Sequence, residues 1–427
     1  MAPPLTRTFA DPRFRRLIWL LVGALGWAGL VALGLALLAK QPPQAGFDLT
    51  LILDAGRRVA AGESPYLAGA VSAGTQVESL FYSYPPPIAQ FASVVGGLPN
   101  GTVLLVVAAG AVAGFGIVVA GLALGPRSGT SDAARWWGVV DVVLPTLALA
   151  PFAYPFAIAL LFGNVDAWFP LVYGAVLLAS LGGSRRWQVV AGVALGLAVL
   201  AKLYPAVLLG WLAVRGLRSR VRDGGSGMSS PPSIPAEWGT LAVAVVTGLV
   251  AVGLSLLAGG LDPWRDYIGV LRAGTGADFV STLNIGPASQ LALLAADPSL
   301  ATRVAPFVAI AAILATAAAA WLQRPAASSL AVATIASLVL SPITWFHYPV
   351  ALLPFAAWAW IATRDRDARR ASAGLIGAAI VVAGVAIAAP IAVWLAVALV
   401  VVAVLRASST ASGPAPTAAS GGLVQGS

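Results

Sequence analysis

The chain has 427 residues, of which 59% are apolar and only 10% charged. In soluble domains about a quarter of the residues are charged, so this composition excludes an ordinary soluble fold and predicts an all-α polytopic membrane protein. No cysteine is present, which excludes disulfides and zinc-thiolate sites, and a single His with two Met argues against a transition-metal centre. The net charge of +9 is compatible with nucleic-acid binding, but basic residues in a polytopic protein usually mark cytoplasmic loops. We therefore expect membrane lipids, and no nucleic acid, as partners.

Twelve apolar segments follow one another along the chain, and Arg13, Arg15 and Arg16 stand directly before the first. They cover residues 17–39, 101–124, 135–150, 165–182, 187–201, 203–214, 238–260, 303–322, 327–341, 347–363, 372–388 and 391–405. A helix of about 20 apolar residues spans the hydrocarbon layer, so the sequence predicts about 12 transmembrane helices. The first segment is longer than the apolar part of a signal peptide and no small-x-small cleavage site follows it, so we interpret it as a retained helix.

The basic residues predict the orientation of these spans. With a cytoplasmic N-terminus, 18 of the 25 Lys and Arg fall inside and seven outside: Lys40, Arg57, Arg58, Lys202, Arg265, Arg272 and Arg303. This asymmetry follows the positive-inside rule. We expect a multi-pass protein of the cell membrane with both termini in the cytoplasm. One membrane-embedded domain, residues 1–406, then has outer loops at 40–100 and 261–302.

Three other stretches have a distinct character. Residues 218–236, rich in Gly, Ser and Pro, are predicted to be a linker, and residues 407–427 a disordered tail. In the first outer loop, Asp48 to Gly62 predicts an amphipathic helix, with Asp48 as its N-cap and Gly62 as its stop. It is too charged to span, so we expect it to lie along the membrane surface, with Asp54 paired to Arg58 four residues later.

Polar residues without an evident solvent role collect at the outer ends of the predicted spans. They are Asp48, Asp54, Tyr66, Tyr84, Asn164, Asp166, Lys202, Trp345 and His347. Ionisable groups near hydrocarbon are costly, so such residues are candidates for a functional site. Each has a simpler explanation too: Asp48 as a helix cap, Lys202 as a side chain snorkelling to the headgroups, and His347 as an interfacial histidine. Asp141, on the inner half, is interpreted as structural.

An acidic residue, a basic residue and aromatic rings at a lipid-water boundary suit glycosyl transfer from a lipid-linked sugar. The carboxylate, as a base, takes the proton of the acceptor hydroxyl, and the cation balances the charge on the leaving phosphate. Aromatic rings pack against the apolar faces of sugars. A secondary transporter is the first alternative, although it would place its polar site near the bilayer midplane and contain inverted repeats. A ligase that uses a polyprenyl diphosphate and a non-catalytic lipid-binding protein are further alternatives.

Six segments in order resemble a known family. They are FDL at 47–49, AGESPY at 61–66, FYSYPPP at 81–87, FGNVD at 162–166, AKLYP at 201–205 and LSPITWFH at 340–347. Together they resemble glycosyltransferase family 87, the polyprenyl-phosphate-mannose-dependent mannosyltransferases. The segment FGNVD at 162–166 departs from the family's Gly-Gln-x-Asn pattern, because Asn164 follows Gly163 directly where Gln is expected.

The resemblance implies a GT-C fold and an inverting transfer at an external active site. Asp48 takes the place of the family's general base and His347 that of its outer histidine, while Lys202 occupies the position that we assign to the donor phosphate. Asn164, Tyr66, Tyr84 and Trp345 are the expected substrate-binding residues. The expected activity moves a sugar, mannose by resemblance, from a polyprenyl phosphate to a lipid or glycan acceptor. Neither a cofactor nor a metal is required, because Lys and Arg can neutralise a monophosphate.

Overall fold

The structure, a computed structural model, describes residues 11–40, 44–67, 82–125, 132–182, 184–223, 235–277, 280–322, 325–363, 366–386 and 388–411. Within these ranges the regular structure is helical, apart from one isolated bridge between Asn284 and Trp345. The helices are α1 (Pro12–Leu38), α2 (Phe47–Ala60), α3 (Pro86–Val95), α4 (Asn100–Ala123), α5 (Asp132–Leu149), α6 (Tyr154–Phe162), α7 (Phe169–Ser180), α8 (Arg185–Ala201), α9 (Val207–Asp223), α10 (Ala236–Gly259), α11 (Asp262–Ala277), α12 (Pro287–Leu294), α13 (Ser299–Trp321), α14 (Ala326–Leu340), α15 (Leu353–Ala362), α16 (Arg366–Val385) and α17 (Val393–Ala411). Short 3-10 turns occupy Ala150–Phe152, Val165–Trp168, Tyr204–Ala206, Tyr348–Leu352 and Pro390–Ala392.

The prediction of an all-α polytopic membrane protein is confirmed, and the count of twelve transmembrane helices stays a prediction. In the described part of the chain six helices are long and apolar enough to cross a membrane: α1, α4, α10, α13, α16 and α17. A seventh span results when α5 and α6, which meet at a bend of 71°, are counted together. Helices α7, α14 and α15 are apolar but shorter.

Helix α7 shows why a short helix suffices inside this fold. Nearly all its residues are buried, including Phe169, Tyr173 and Leu177, so it is surrounded by protein. A helix that packs against neighbours on all sides need not match the thickness of the bilayer. Pro155 lies in the first turn of α6, after an extended residue at Ala153, and proline there cannot continue the preceding helix. The sharp bend between α5 and α6 follows.

The amphipathic helix of the first loop is present as α2, but its apolar face is covered by protein instead of lipid. Leu49, Ile52 and Leu53 are buried in a second hydrophobic cluster, separate from the main one. At Gly56 an added Cβ would come within 2.6 Å of the backbone of Ala92 on α3, so the two helices cross almost backbone to backbone. The apolar face of α2 is therefore held by protein, and its expected location along the membrane surface stays a prediction.

Contacts between helix ends distinguish two ends of the bundle. At one end Arg16 pairs with Asp141 at 2.7 Å and Arg215 with Glu237 at 3.2 Å. We call this the arginine-rich end. At the other end the two predicted outer loops touch, since the Ser64 hydroxyl donates to Asp266 at 2.8 Å. The candidate site lies at this second end.

Two predicted irregular stretches are partly helical. Helix α9 continues to Asp223 and α10 starts at Ala236 after its N-cap Pro235, so most of the described part of the predicted linker is helical, and residues 224–234 lie outside the described ranges. Helix α17 likewise continues to Ala411, beyond the predicted start of the tail at residue 407, and residues 412–427 are outside the described ranges.

Candidate functional site

Asp48 lies in the first turn of α2, and two glycines fix where that turn sits. Gly46, not Asp48, is the N-cap, with a φ of 69°, and its N–H donates to the Leu161 carbonyl at 2.7 Å. Gly163 ends α6 with a φ of 64°, and a Cβ there would lie 2.7 Å from the Leu49 Cβ. Glycine satisfies both the left-handed conformation and the close approach. The start of α2 is thereby docked on the end of α6, and the expected N-cap role of Asp48 is wrong.

Asn164 connects Asp48 to Lys202. Its amide nitrogen donates to Asp48 Oδ2 at 2.7 Å, and its amide oxygen accepts from the Lys202 ammonium at 3.3 Å. The same oxygen accepts from the backbone N–H of Asp166 at 2.9 Å. A carboxylate accepts and an ammonium donates, so these neighbours fix the orientation of the amide.

The second carboxylate of the site, Asp166, is fully buried and held on several sides. Its Oδ2 lies 2.8 Å from the Lys202 ammonium, and its Oδ1 accepts from the Tyr204 hydroxyl at 3.2 Å. His347 Nε2 is 3.2 Å from Oδ2, but the angles are not those of a hydrogen bond, and neither ring nitrogen has such a partner among the described residues. The resemblance gave His347 only the place of the family's outer histidine, and the structure places it beside Asp166.

Aromatic rings enclose the ammonium of Lys202. It lies 4.3 Å from the ring centre of Tyr348 and 5.9 Å from that of Tyr84. Tyr348 in turn stacks on Tyr204 with ring centres 4.9 Å apart. Cation-π attraction strengthens when the cation is shielded from water, and the Lys202 side chain is only 12% exposed. Its position between α8 and the following turn is thus stabilised by both Asp166 and the rings.

Two predicted substrate-binding residues lie apart from this network. Tyr66 is buried, stacks on Tyr267 and donates its hydroxyl to the Tyr84 carbonyl at 2.8 Å. Burial, more than the nearby Tyr267 and Asp266, raises the pKa of Tyr66 well above its usual value, so its hydroxyl stays a donor. Tyr66 therefore positions Tyr84. Trp345 is half-buried and packs against the main core; its backbone carbonyl accepts from the Tyr348 N–H at 2.9 Å, but its ring makes no contact with the network among the described residues.

Sequence reasoning missed Asn284, which holds the segment that leads to His347. This fully buried side chain accepts from the backbone N–H groups of Thr344 and Gly286, both at 2.9 Å, and donates to the Pro342 carbonyl at 3.2 Å. The second outer loop is thereby fastened to the turn after α14. An amide in the apolar context of Leu283 and Ile285 was the available signal, because a buried amide needs several partners.

The described residues contain no group of three His, Asp or Glu side chains placed to hold a metal ion. The chemical groups that the structure assembles are a partly exposed carboxylate at Asp48, a buried ion pair between Lys202 and Asp166, and flanking rings. Asp48 Oδ1 has no hydrogen-bond partner among the described residues, whereas both oxygens of Asp166 have neighbours.

Fold and site together define a polytopic helical membrane protein with a polar, ionisable site at one end of its bundle. The chain belongs to glycosyltransferase family 87: the model of that family matches residues 82–342, more than half of the chain. It is therefore a membrane glycosyltransferase. Asn164, Lys202 and Asn284 fall within the matched residues, and Asp48 and His347 outside them. Neither a curated protein nor a solved structure matched the chain.

Proposed function

We propose that the protein transfers a sugar, mannose in the first instance, from a polyprenyl phosphate to a hydroxyl of a lipid or glycan acceptor, with inversion at the anomeric carbon. The observation that carries this proposal is the chain of contacts from Asp48 through Asn164 to Lys202. It places a free carboxylate oxygen and an ammonium on opposite sides of one amide. A general base and a cation for the leaving group are the two functions that such a transfer needs.

In the proposed reaction Asp48 Oδ1 accepts the proton of the acceptor hydroxyl. The hydroxyl oxygen then forms a bond to the anomeric carbon while the bond from that carbon to the phosphate oxygen breaks. The electron pair leaves with the polyprenyl phosphate. A single displacement from the face opposite the phosphate inverts the configuration. Asn164 keeps the carboxylate of Asp48 in one orientation, because the hydrogen bond from its amide occupies Oδ2 and leaves Oδ1 for the acceptor hydroxyl.

Lys202 is proposed to stabilise the leaving phosphate, together with His347. Two acceptors already surround the ammonium, Asp166 and the Asn164 oxygen, so it can act on the phosphate through its field or by exchanging the longer bond to Asn164. The ring nitrogens of His347, without hydrogen-bond partners in the described chain, supply a further donor on the same side. Tyr84 and Asn164 would contact the sugar, and Trp345 the substrate beyond the network.

The direct test is product formation. Purified protein is incubated with polyprenyl-phosphate-mannose and mixed membrane lipids, and products are analysed by mass spectrometry. We expect an acceptor one hexose heavier with the wild type and almost none with Asp48→Asn. The same assay with polyprenyl-phosphate-glucose tests the choice of sugar. Absence of any hexose-bearing product from either donor would refute the proposed function.

The ion pair makes a simple removal of Lys202 uninformative, because it would leave Asp166 buried and unpaired. Breaking a buried pair in this way costs about 3–5 kcal/mol. A double variant, Lys202→Met with Asp166→Asn, removes both charges and is expected to regain most of that loss in thermal unfolding. If Lys202 serves the phosphate, the stable double variant still binds donor at least about tenfold more weakly, a loss of 1.4 kcal/mol. Donor affinity equal to the wild type would limit Lys202 to a structural role.

We further propose that the site faces the outside of the cell membrane and that both termini are cytoplasmic. The support is the separation of the site from the arginine-rich end, since positive residues favour the cytoplasmic side. The chain has no cysteine, so single cysteines report cleanly. A cysteine at Ser83, which is exposed, should react with an impermeant maleimide on intact cells, and one at Ser219 only after permeabilisation. The reverse pattern would overturn the orientation.

A further inference from the structure

An apolar cavity of about 290 Å³ lies beside the site, on the side of α15, α16 and α17. Its lining side chains are apolar except for the indole rings of Trp19 and Trp360 and for Thr146, whose hydroxyl donates to the Val142 carbonyl at 2.8 Å. Cavities of this size and composition suit apolar ligands, and a polar molecule would lose its hydrogen bonds there.

The cavity is elongated along the helices. On α16 its lining extends from Ala373 to Ala383, which are about 15 Å apart at the rise of an α-helix. Trp19 and Trp360 line it towards the arginine-rich end, because Trp19 is one turn from Arg16. Pro349 and Pro155 line the opposite end. A narrow apolar space parallel to the helix axes fits a hydrocarbon chain better than a compact ligand.

The end near Pro349 adjoins the proposed phosphate position. Tyr348, whose ring contacts the Lys202 ammonium at 4.3 Å, immediately precedes Pro349, which lines the cavity. Asp48, the proposed base for the acceptor, is reached from Lys202 in the other direction, through Asn164. The contacts therefore run in the order Asp48, Asn164, Lys202, Tyr348 and then the cavity. The donor side of the network is the side on which the cavity lies.

We propose that this cavity binds the first part of the donor's polyprenyl chain and limits how much of it is recognised, with Trp19 and Trp360 marking the far end. The proposal rests on the proposed function, because it assigns the chain of that donor. Ala373 and Gly377 are exposed at the rim, so a chain can enter sideways from lipid and its remainder can leave there. Affinity should rise with chain length until the cavity is filled and then stay constant.

Two glycines of α16 provide a matched pair of variants. An added side chain at Gly377 or at Gly374 meets no atom within 4 Å of its Cβ, yet only Gly377 lines the cavity. Gly377→Leu should fill the middle of the cavity, whereas Gly374→Leu adds the same group to the same helix outside it. Both changes raise helix propensity equally, so differences between them report the cavity. Ala373→Leu, nearer the far end, is the second lining variant.

The experiment measures KM for the mannosyl phosphates of geraniol, farnesol and decaprenol with each purified protein, and KM for the acceptor in parallel. For Gly377→Leu we expect KM of the decaprenyl donor to rise at least about tenfold, equivalent to about two methylenes no longer buried, with the geranyl donor little changed. Ala373→Leu should show the same pattern more weakly, and Gly374→Leu should match the wild type.

Other results would overturn the assignment. Equal donor KM values for Gly377→Leu and Gly374→Leu, in a wild type that turns over, would refute the cavity as a donor site and leave the proposed function intact. A raised KM for the acceptor alone would assign the cavity to the acceptor's chain instead. A wild type that uses none of the three donors would refute the proposed function and, with it, this assignment.

Discussion

Replacing Asp48 by Asn separates a catalytic role of this carboxylate from a structural one. The Asn164 amide can still donate to the amide oxygen at position 48, so the loss is the difference between a charged and a neutral hydrogen bond, about 1 kcal/mol. Loss of a negative charge in the first turn of α2 adds about 0.3–1 kcal/mol. A total near 2 kcal/mol leaves a protein with about 5–15 kcal/mol of stability folded.

Loss of a general base has a much larger effect on rate. It lowers kcat by roughly 10² to 10⁴, which corresponds to about 2.7–5.4 kcal/mol of activation free energy. We therefore expect Asp48→Asn to be almost inactive while its unfolding temperature drops only modestly and donor binding remains. Turnover is measured as mannose transferred per protein, and folding by thermal unfolding in the same detergent.

Asp54→Asn is the matched control on the same helix. Asp54 pairs with Arg57 at 2.5 Å, instead of Arg58 as expected from the sequence, and both side chains are over 40% exposed. Such a pair is worth about 0.5 kcal/mol or less, so this variant should keep its activity. Near-normal turnover by Asp48→Asn would refute the mechanism. If Asp54→Asn were inactive at the same time, the general base would be assigned to Asp54.

Two further variants test how the site is positioned. Gly163→Ala should be destabilising and inactive, because the added Cβ clashes with Leu49 at a backbone φ that is already unfavourable for alanine. Gly62→Ala is the control: its φ is 78° but no atom lies within 4 Å of an added Cβ, so it should lose only about 1–2 kcal/mol of stability and stay active. Thermal unfolding and turnover distinguish the two variants. Asn284→Ala orphans the buried N–H of Thr344, so we expect a loss of at least about 1–3 kcal/mol and a lower kcat with little change in acceptor KM. An unchanged unfolding temperature of Asn284→Ala would contradict the role of Asn284 in holding the segment before His347.

The location of the site could be predicted because it depends on chain threading. Arginine positions alone set the direction of each apolar segment and so brought Asp48, Asn164, Lys202 and His347 to one end. The pairing within that end could not be predicted. Asp166 was noticed only as one polar residue among several, because its burial between Lys202, Tyr204 and His347 depends on how three helix ends pack together.

The number of spans could not be fixed from the sequence for a related reason. Hydropathy measures whether a segment avoids water, and it does so equally for a helix surrounded by lipid and one surrounded by protein. Helix α7 is apolar because other helices enclose it, and α6 was missed because it follows a bend at Ala153 instead of a polar loop. Length and apolarity therefore predicted the class of fold but not which helices cross the membrane.

The two carboxylates of the site differ because their surroundings differ. Asp166 is fully buried, and an isolated charge there would be prohibitively costly, so Lys202 and Tyr204 hold it and it has no free oxygen to offer. Asp48 is only partly buried and has one bond from Asn164, which leaves one oxygen for an incoming hydroxyl. Asn164 contacts both groups, so a change at the ion pair is transmitted to the base by one amide. In the proposed mechanism the buried pair keeps Asn164, and through it Asp48, in one orientation, and it need not touch the acceptor at all.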